Sequence, residues 1–71
     1  MTKKQAQWNS KRDALIAQYG KETLIRAFRL NVDEGEGGTV ISEYTKIPMR
    51  QVSAAIRVGG ELTGVWPYGS W

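Results

Sequence analysis

The amino-acid sequence predicts a mainly α domain of three to four helices, with residues 1–71 forming a single unit. Three observations carry that expectation. Apolar residues recur at helical spacing over Lys4–Tyr19 and again over Lys21–Leu30. Both segments lack proline and are rich in good helix formers. Helix breakers stand between segments rather than inside them, with Gly20 after the first pair member and Ile47-Pro48 between two shorter amphipathic stretches.

In the first segment Trp8, Leu15, Ile16 and Tyr19 fall on one broad stripe, with Lys11, Arg12 and Asp13 opposite. Gly20 is the expected stop, because glycine takes a positive φ without steric penalty. In the second segment Leu24, Ile25, Phe28 and Leu30 point inward, with Arg26 and Arg29 outward. "NVDEGEGG", residues 31–38, is then a loop, since glycines and carboxylates contribute nothing to a core. Thr39 is the expected N-cap of a short helix over Val40–Thr45, its hydroxyl accepting a free amide of the first turn. Proline disfavours helix in the residue before it and suits the first position of a new one. The last helix is therefore expected from Pro48 to about Val58, with Val52, Ala55 and Ile56 inward and Gly59-Gly60 weakening or ending it.

A β alternative exists for residues 56–66, where "IRVGGELTGVW" offers a hairpin around Gly59-Gly60. That turn would pair Val58 with Glu61 and Arg57 with Leu62, mixing apolar and charged residues on both faces. The helical reading gives the cleaner stripe.

Composition narrows the function classes. A chain of 71 residues buries about 60 % of its unfolded surface, so self-association is an expected source of extra stability. It contains no cysteine and no histidine, which rules out disulfides and the usual sulfur and imidazole zinc sites. No metal or cofactor is expected. No apolar run approaches a membrane span, and the basic start "MTKKQAQWNSKRDAL" leads into no apolar signal region, so a cytoplasmic protein is expected. Charge is segregated along the chain. Basic residues dominate up to Leu30, the acids Asp33, Glu34, Glu36 and Glu43 occupy residues 31–45, and Lys46, Arg50 and Arg57 face only Glu61 thereafter. Such a domain presents basic surface to a polyanion while turning an acidic loop away.

"SEYTKIPMRQVSAAI" carries a small residue, Ser42, then an apolar residue after a turn, Ile47, then an early apolar anchor, Val52, with Ala55 and Ile56 one turn on. Residues 38–57 thereby resemble the helix-turn-helix of small bacterial and phage transcription regulators, in particular repressors of the lactose-repressor class. One position departs from that pattern. Lys46 stands where the family commonly places glycine for a left-handed turn, a substitution that costs about 1 kcal/mol. "ELTGVW" resembles the step by which winged-helix domains leave the recognition helix. With only "VWPYGSW" remaining, the resemblance implies a short, truncated β-wing at the C-terminus.

What the resemblance implies is a recognition helix at about 48–58 in the major groove of double-stranded DNA, whose base edges carry a readable donor and acceptor code. Met49, Arg50, Gln51, Ser53, Ala54 and Arg57 would then face the bases, with Thr39 and Lys46 on phosphates and the basic Lys3 and Lys4 adding backbone contacts. Arginine pairs with guanine, glutamine with adenine, and Ala54 or Met49 can touch a thymine methyl. A homodimer on symmetric half-sites is expected. Trp66, Tyr68 and Trp71 crowd the C-terminus, where aromatics anchor interfaces.

An enzyme is not expected. There is no histidine or cysteine to act as base or nucleophile, and Asp33, Glu34 and Glu36 sit in a glycine-rich loop that cannot fix their geometry. Two functions follow: a small sequence-specific DNA-binding regulator, or a protein-interaction module on the same scaffold. The second would be an adaptor or phage-encoded inhibitor binding a host protein through its aromatic C-terminus.

Overall fold

The computed structural model describes residues 2–64, which fold into four helices with no strand among them. They are α1 (Lys3–Tyr19), α2 (Lys21–Val32), α3 (Gly38–Thr45) and α4 (Met49–Leu62). The mainly α expectation holds. The expected wing ribbon, with Trp66, Tyr68 and Trp71, lies outside the described residues.

The segment boundaries follow local chemistry. Thr2 caps α1 by accepting from the Gln5 amide at 3.1 Å. Gly20, at φ 85°, ends α1 and opens α2 in a single residue, its amide donating to the Ile16 carbonyl. α2 runs two residues past the expected Leu30, to Val32. The acidic loop is correspondingly shorter, and Asn31 braces it by donating to the Glu36 carbonyl at 3.2 Å. α3 begins one residue before Thr39, with Gly37 as N-cap. Thr39 is therefore an exposed residue of the first turn and not the cap.

The corner between α3 and α4 is built by side chains. Lys46 adopts the left-handed conformation at φ 65° and donates its amide to the Ser42 carbonyl at 2.9 Å. Ile47 is completely buried, and both of its backbone polar groups are satisfied. The Ser42 hydroxyl donates to the Ile47 carbonyl at 2.6 Å, and the Ile47 amide donates to the Thr45 hydroxyl at 3.4 Å. Thr45 in turn donates to the Ile41 carbonyl. A buried backbone group left unpaired would cost about 1–3 kcal/mol, so these two hydroxyls let an apolar residue occupy the core inside a turn. Pro48 stands as the N-cap of α4, one place before the helix.

Leu15, Leu24, Ala27, Ile41, Ile47, Val52, Ala55 and Val58 form the core, with Phe28 also buried. Every helix contributes, and the most extensive contact is α2 against α4. Its closest point is Gly59. A Cβ at that position would stand 2.2 Å from the Leu24 carbonyl oxygen and 2.6 Å from the Phe28 Cβ. Gly59-Gly60 therefore does not end α4 as expected, and the hairpin alternative for residues 56–62 falls with it. Packing overrides the roughly 1 kcal/mol helix penalty of glycine because only glycine permits this approach. Ile56, expected inward, is half-buried at the edge of the core.

α1 is attached differently. Leu15 is its one buried residue, with Trp8, Ile16 and Tyr19 half-buried against the core. Trp8 meets Glu61 and Tyr19 meets Gln51, so α1 lies antiparallel along α4 and is pinned near both ends by side-chain hydrogen bonds.

Candidate functional site

α4 is the most strongly two-faced helix of the fold. Val52, Ala55, Val58 and Gly59 fill one side, while Met49, Arg50, Ser53 and Arg57 are exposed on the other. These exposed residues form the floor of an open groove of about 760 Å³. Trp8 and Lys11 of α1 border it on one flank, and Phe28, Asn31 and Gly38 on the other. Met49, 56 % exposed, rests over Gly38, where an added Cβ would meet its Cε at 3.4 Å.

The groove has a simple electrostatic character. Lys11, Arg50 and Arg57 line it and no carboxylate does. Lys4 precedes Lys11 by seven residues and so shares its flank of α1, whereas Lys3 is turned about 100° away. The loop acids open elsewhere. Asp33 and Glu34 line a shallower groove of about 420 Å³ together with Glu22, Arg26 and Arg29, where charges of both signs mix.

Arg57 and Gln51 are held by α1. The Arg57 guanidinium lies over the Trp8 ring at 4.0 Å from its centroid. The Trp8 indole N–H donates to Glu61 Oε1 at 2.9 Å, and Arg12 stands 3.8 Å from the other oxygen of that carboxylate. Gln51 is half-buried and accepts a hydrogen bond from the Tyr19 hydroxyl.

The exposed positions expected for base contact are thus Met49, Arg50, Ser53 and Arg57, and the structure brings them together on one face. Gln51 departs from the expectation because its side-chain oxygen is engaged by Tyr19. Ala54 is half-buried and packs against the core cluster, and it also lines the groove beside Ser53. Lys46 is exposed at the α3–α4 corner, Thr39 is exposed at the start of α3, and Lys3 and Lys4 are exposed at the start of α1. Trp66, Tyr68 and Trp71 lie outside the described residues.

The sequence does not disclose the flanking role of Trp8, Lys11 and Phe28. Trp8 and Phe28 belong to inward stripes by periodicity, and nothing local reveals that the edge of each stripe borders the outer face of a helix that begins forty-one residues after Trp8 and twenty-one after Phe28. Among the described residues no cluster of histidine, cysteine, aspartate or glutamate could hold a metal ion, and no helix is long and apolar enough to cross a membrane. No family model matches the chain, and neither the curated proteins nor the solved structures searched contain a match.

Proposed function

We propose that this protein is a small DNA-binding regulator of the helix-turn-helix type, with α3 and α4 as the motif and α4 as the recognition helix. The observation that carries this reading is the groove floor itself. An exposed face with Arg50 and Arg57, bordered by Lys11 and free of carboxylates, matches the charge of a duplex. The left-handed residue at Lys46 and the buried Ile47 agree with the turn pattern of that family.

In this reading Arg50 and Arg57 donate to guanine edges, Ser53 donates or accepts, and Met49 contacts a thymine methyl. Lys4, Lys11 and Lys46, with Thr39, contact phosphates and set the position without reading sequence. Lys3 adds a more distant backbone contact. Two copies pair as a homodimer across half-sites about 34 Å apart.

Titration of a fluorescent duplex at several salt concentrations tests the proposal. With four lysines of each copy on phosphates, eight in the homodimer, log K falls with log salt at a slope of about −7. A flat salt response, or no binding at low salt, overturns it. The second reading, a protein-interaction module, draws on the half-buried aromatic and aliphatic groups in the same groove, Trp8 and Ile56. They suit the apolar side of an acidic amphipathic helix. Binding of such a peptide with no binding of duplex is the result that favours it.

A further inference from the structure

We infer that two copies of this chain exchange α1 across a straightened Gly20, so that each α4 groove is walled by the Trp8 and Lys11 of the other copy. The inference goes beyond the DNA-binding reading and stands whatever the groove binds.

Gly20 is where the closed and exchanged forms part. Its φ of 85° and ψ of 153° lie in a region that essentially only glycine occupies, and this one residue turns the chain from α1 into α2. Helical hydrogen bonds already reach it from both sides. Its amide donates to the Ile16 carbonyl at 2.9 Å, and its carbonyl accepts from the Leu24 amide at 3.3 Å. A continuous helix needs three bonds more, from the amides of Lys21, Glu22 and Thr23 to the carbonyls of Ala17, Gln18 and Tyr19. The corner places those six groups at helix ends, and no side chain caps the start of α2. Straightening Gly20 therefore completes the ladder and makes one helix from Lys3 to Val32.

What keeps the corner folded is the docking of α1, and that docking is modest. Leu15 is the one buried residue of its seventeen. Trp8, Ile16 and Tyr19 are half-buried, and hydrogen bonds from Trp8 to Glu61 and from Tyr19 to Gln51 fasten its ends. A second copy offers the identical surface, so exchange gives up none of these contacts and completes two ladders. What opposes it is the entropy of joining two chains. A segment on a short connection meets its own docking surface at an effective concentration of roughly 1 mM, and exchange sets in as the chain approaches that concentration. Short, constrained connections favour such exchange. Each groove of the resulting dimer is built from both copies, because Trp8 and Lys11 line it from α1.

Gly20→Ala tests the inference. Nothing stands within 4 Å of the added Cβ, so the change acts on the backbone alone, opposing the corner and suiting the straight helix. Sedimentation equilibrium is expected to show the dimer dissociation constant lowered by about a hundredfold, since each dimer relieves two corners. Exchange itself is read by cross-linking, for which the natural chain contains no cysteine. In the Gly20→Ala background, a chain with Arg12→Cys is unfolded and refolded together with an isotope-labelled chain with Glu61→Cys. The side chains of Arg12 and Glu61 lie 3.8 Å apart, so a short bismaleimide joins labelled to unlabelled chain where α1 has been exchanged. A dimer formed through outer surfaces keeps each α1 on its own α4 and gives no such bridge. Three glycines inserted between residues 20 and 21 of Gly20→Ala relax the corner and are expected to restore the monomer.

A bridged dimer that the insertion returns to monomer supports exchange. A folded Gly20→Ala that stays monomeric, or that dimerises with no bridge between the two chains, overturns it, and so does an insertion that leaves the dimer unchanged. If Gly20→Ala fails to fold, the same two cysteine chains with Gly20 retained decide. They are refolded together at roughly 1 mM and at roughly 10 μM, then cross-linked at the lower concentration. More bridge after refolding at the higher concentration supports exchange, and a yield that does not rise overturns it.

Discussion

α4 meets α2 and α1 in opposite ways. Against α2 the contact is apolar and close, with Gly59 letting backbone approach backbone beside the completely buried Leu24 and Val58. Against α1 the contact is partly exposed and held near its ends by hydrogen bonds from Trp8 and Tyr19. The difference separates two tasks. The α2 contact supplies stability, because fully burying an aliphatic side chain is worth about 1.5–3 kcal/mol. The α1 contact supplies little burial and much orientation, so it can be altered without dissolving the fold.

Substitutions at the two contacts should differ in size accordingly. Gly59→Ala places a methyl group inside the α2 backbone, and a loss of about 3 kcal/mol is expected from overpacking. For a domain this small, that is a fall of at least about 12 °C in the thermal midpoint measured by circular dichroism. An unchanged midpoint would show that α2 and α4 do not approach as described. Trp8→Leu removes one hydrogen bond and a stacking partner at a half-buried site, and a loss of about 1 kcal/mol is expected by urea unfolding. A loss equal to that of Gly59→Ala would erase the distinction between the two contacts.

Lys46→Gly sharpens the comparison from a third place. Glycine relieves the left-handed backbone, so stability should rise by up to about 1 kcal/mol. Duplex affinity should fall alike for all sequences, with the salt slope smaller by about one per copy and about two for the homodimer. Stability and binding moving together would contradict a phosphate-contacting role for Lys46. The smallest effect is expected at the exposed Arg29–Asp33 pair, separated by 3.8 Å with both side chains more than half exposed. Asp33→Asn should change stability by less than about 0.5 kcal/mol.

Most of the fold was legible because its signals are local. Gly20 and Pro48 mark corners by backbone chemistry, and the stripes through Leu24 and Val52 mark buried faces by period. The left-handed turn at Lys46 was legible from the helix-turn-helix pattern that residues 38–57 resemble, despite the lysine. The course of α4 through Gly59-Gly60 was not, because a helical glycine is explained only by the partner that comes close, and Leu24 lies thirty-five residues away. The candidate site divides along the same line. Arg50, Ser53 and Arg57 are exposed on the face that helical spacing assigns them. Gln51 lies between the exposed and buried faces, where spacing alone does not decide, and the Tyr19 hydroxyl draws it inward. Thr39 has the chemistry of a cap, yet α3 starts at Gly38, so the hydroxyl stands inside the first turn.

Gly20 gives the molecule a lever. It joins α1 to α2 alone, at φ 85°, with nothing within 4 Å of where a Cβ would stand. Trp8 lies twelve residues up the arm, about 18 Å from this fulcrum. A swing of 10° at the elbow would carry the indole about 3 Å, comparable with its 4.0 Å distance from the Arg57 guanidinium. Small torques near residue 20 are thereby magnified at the far end of the arm, over the part of α4 that holds the guanidinium in place.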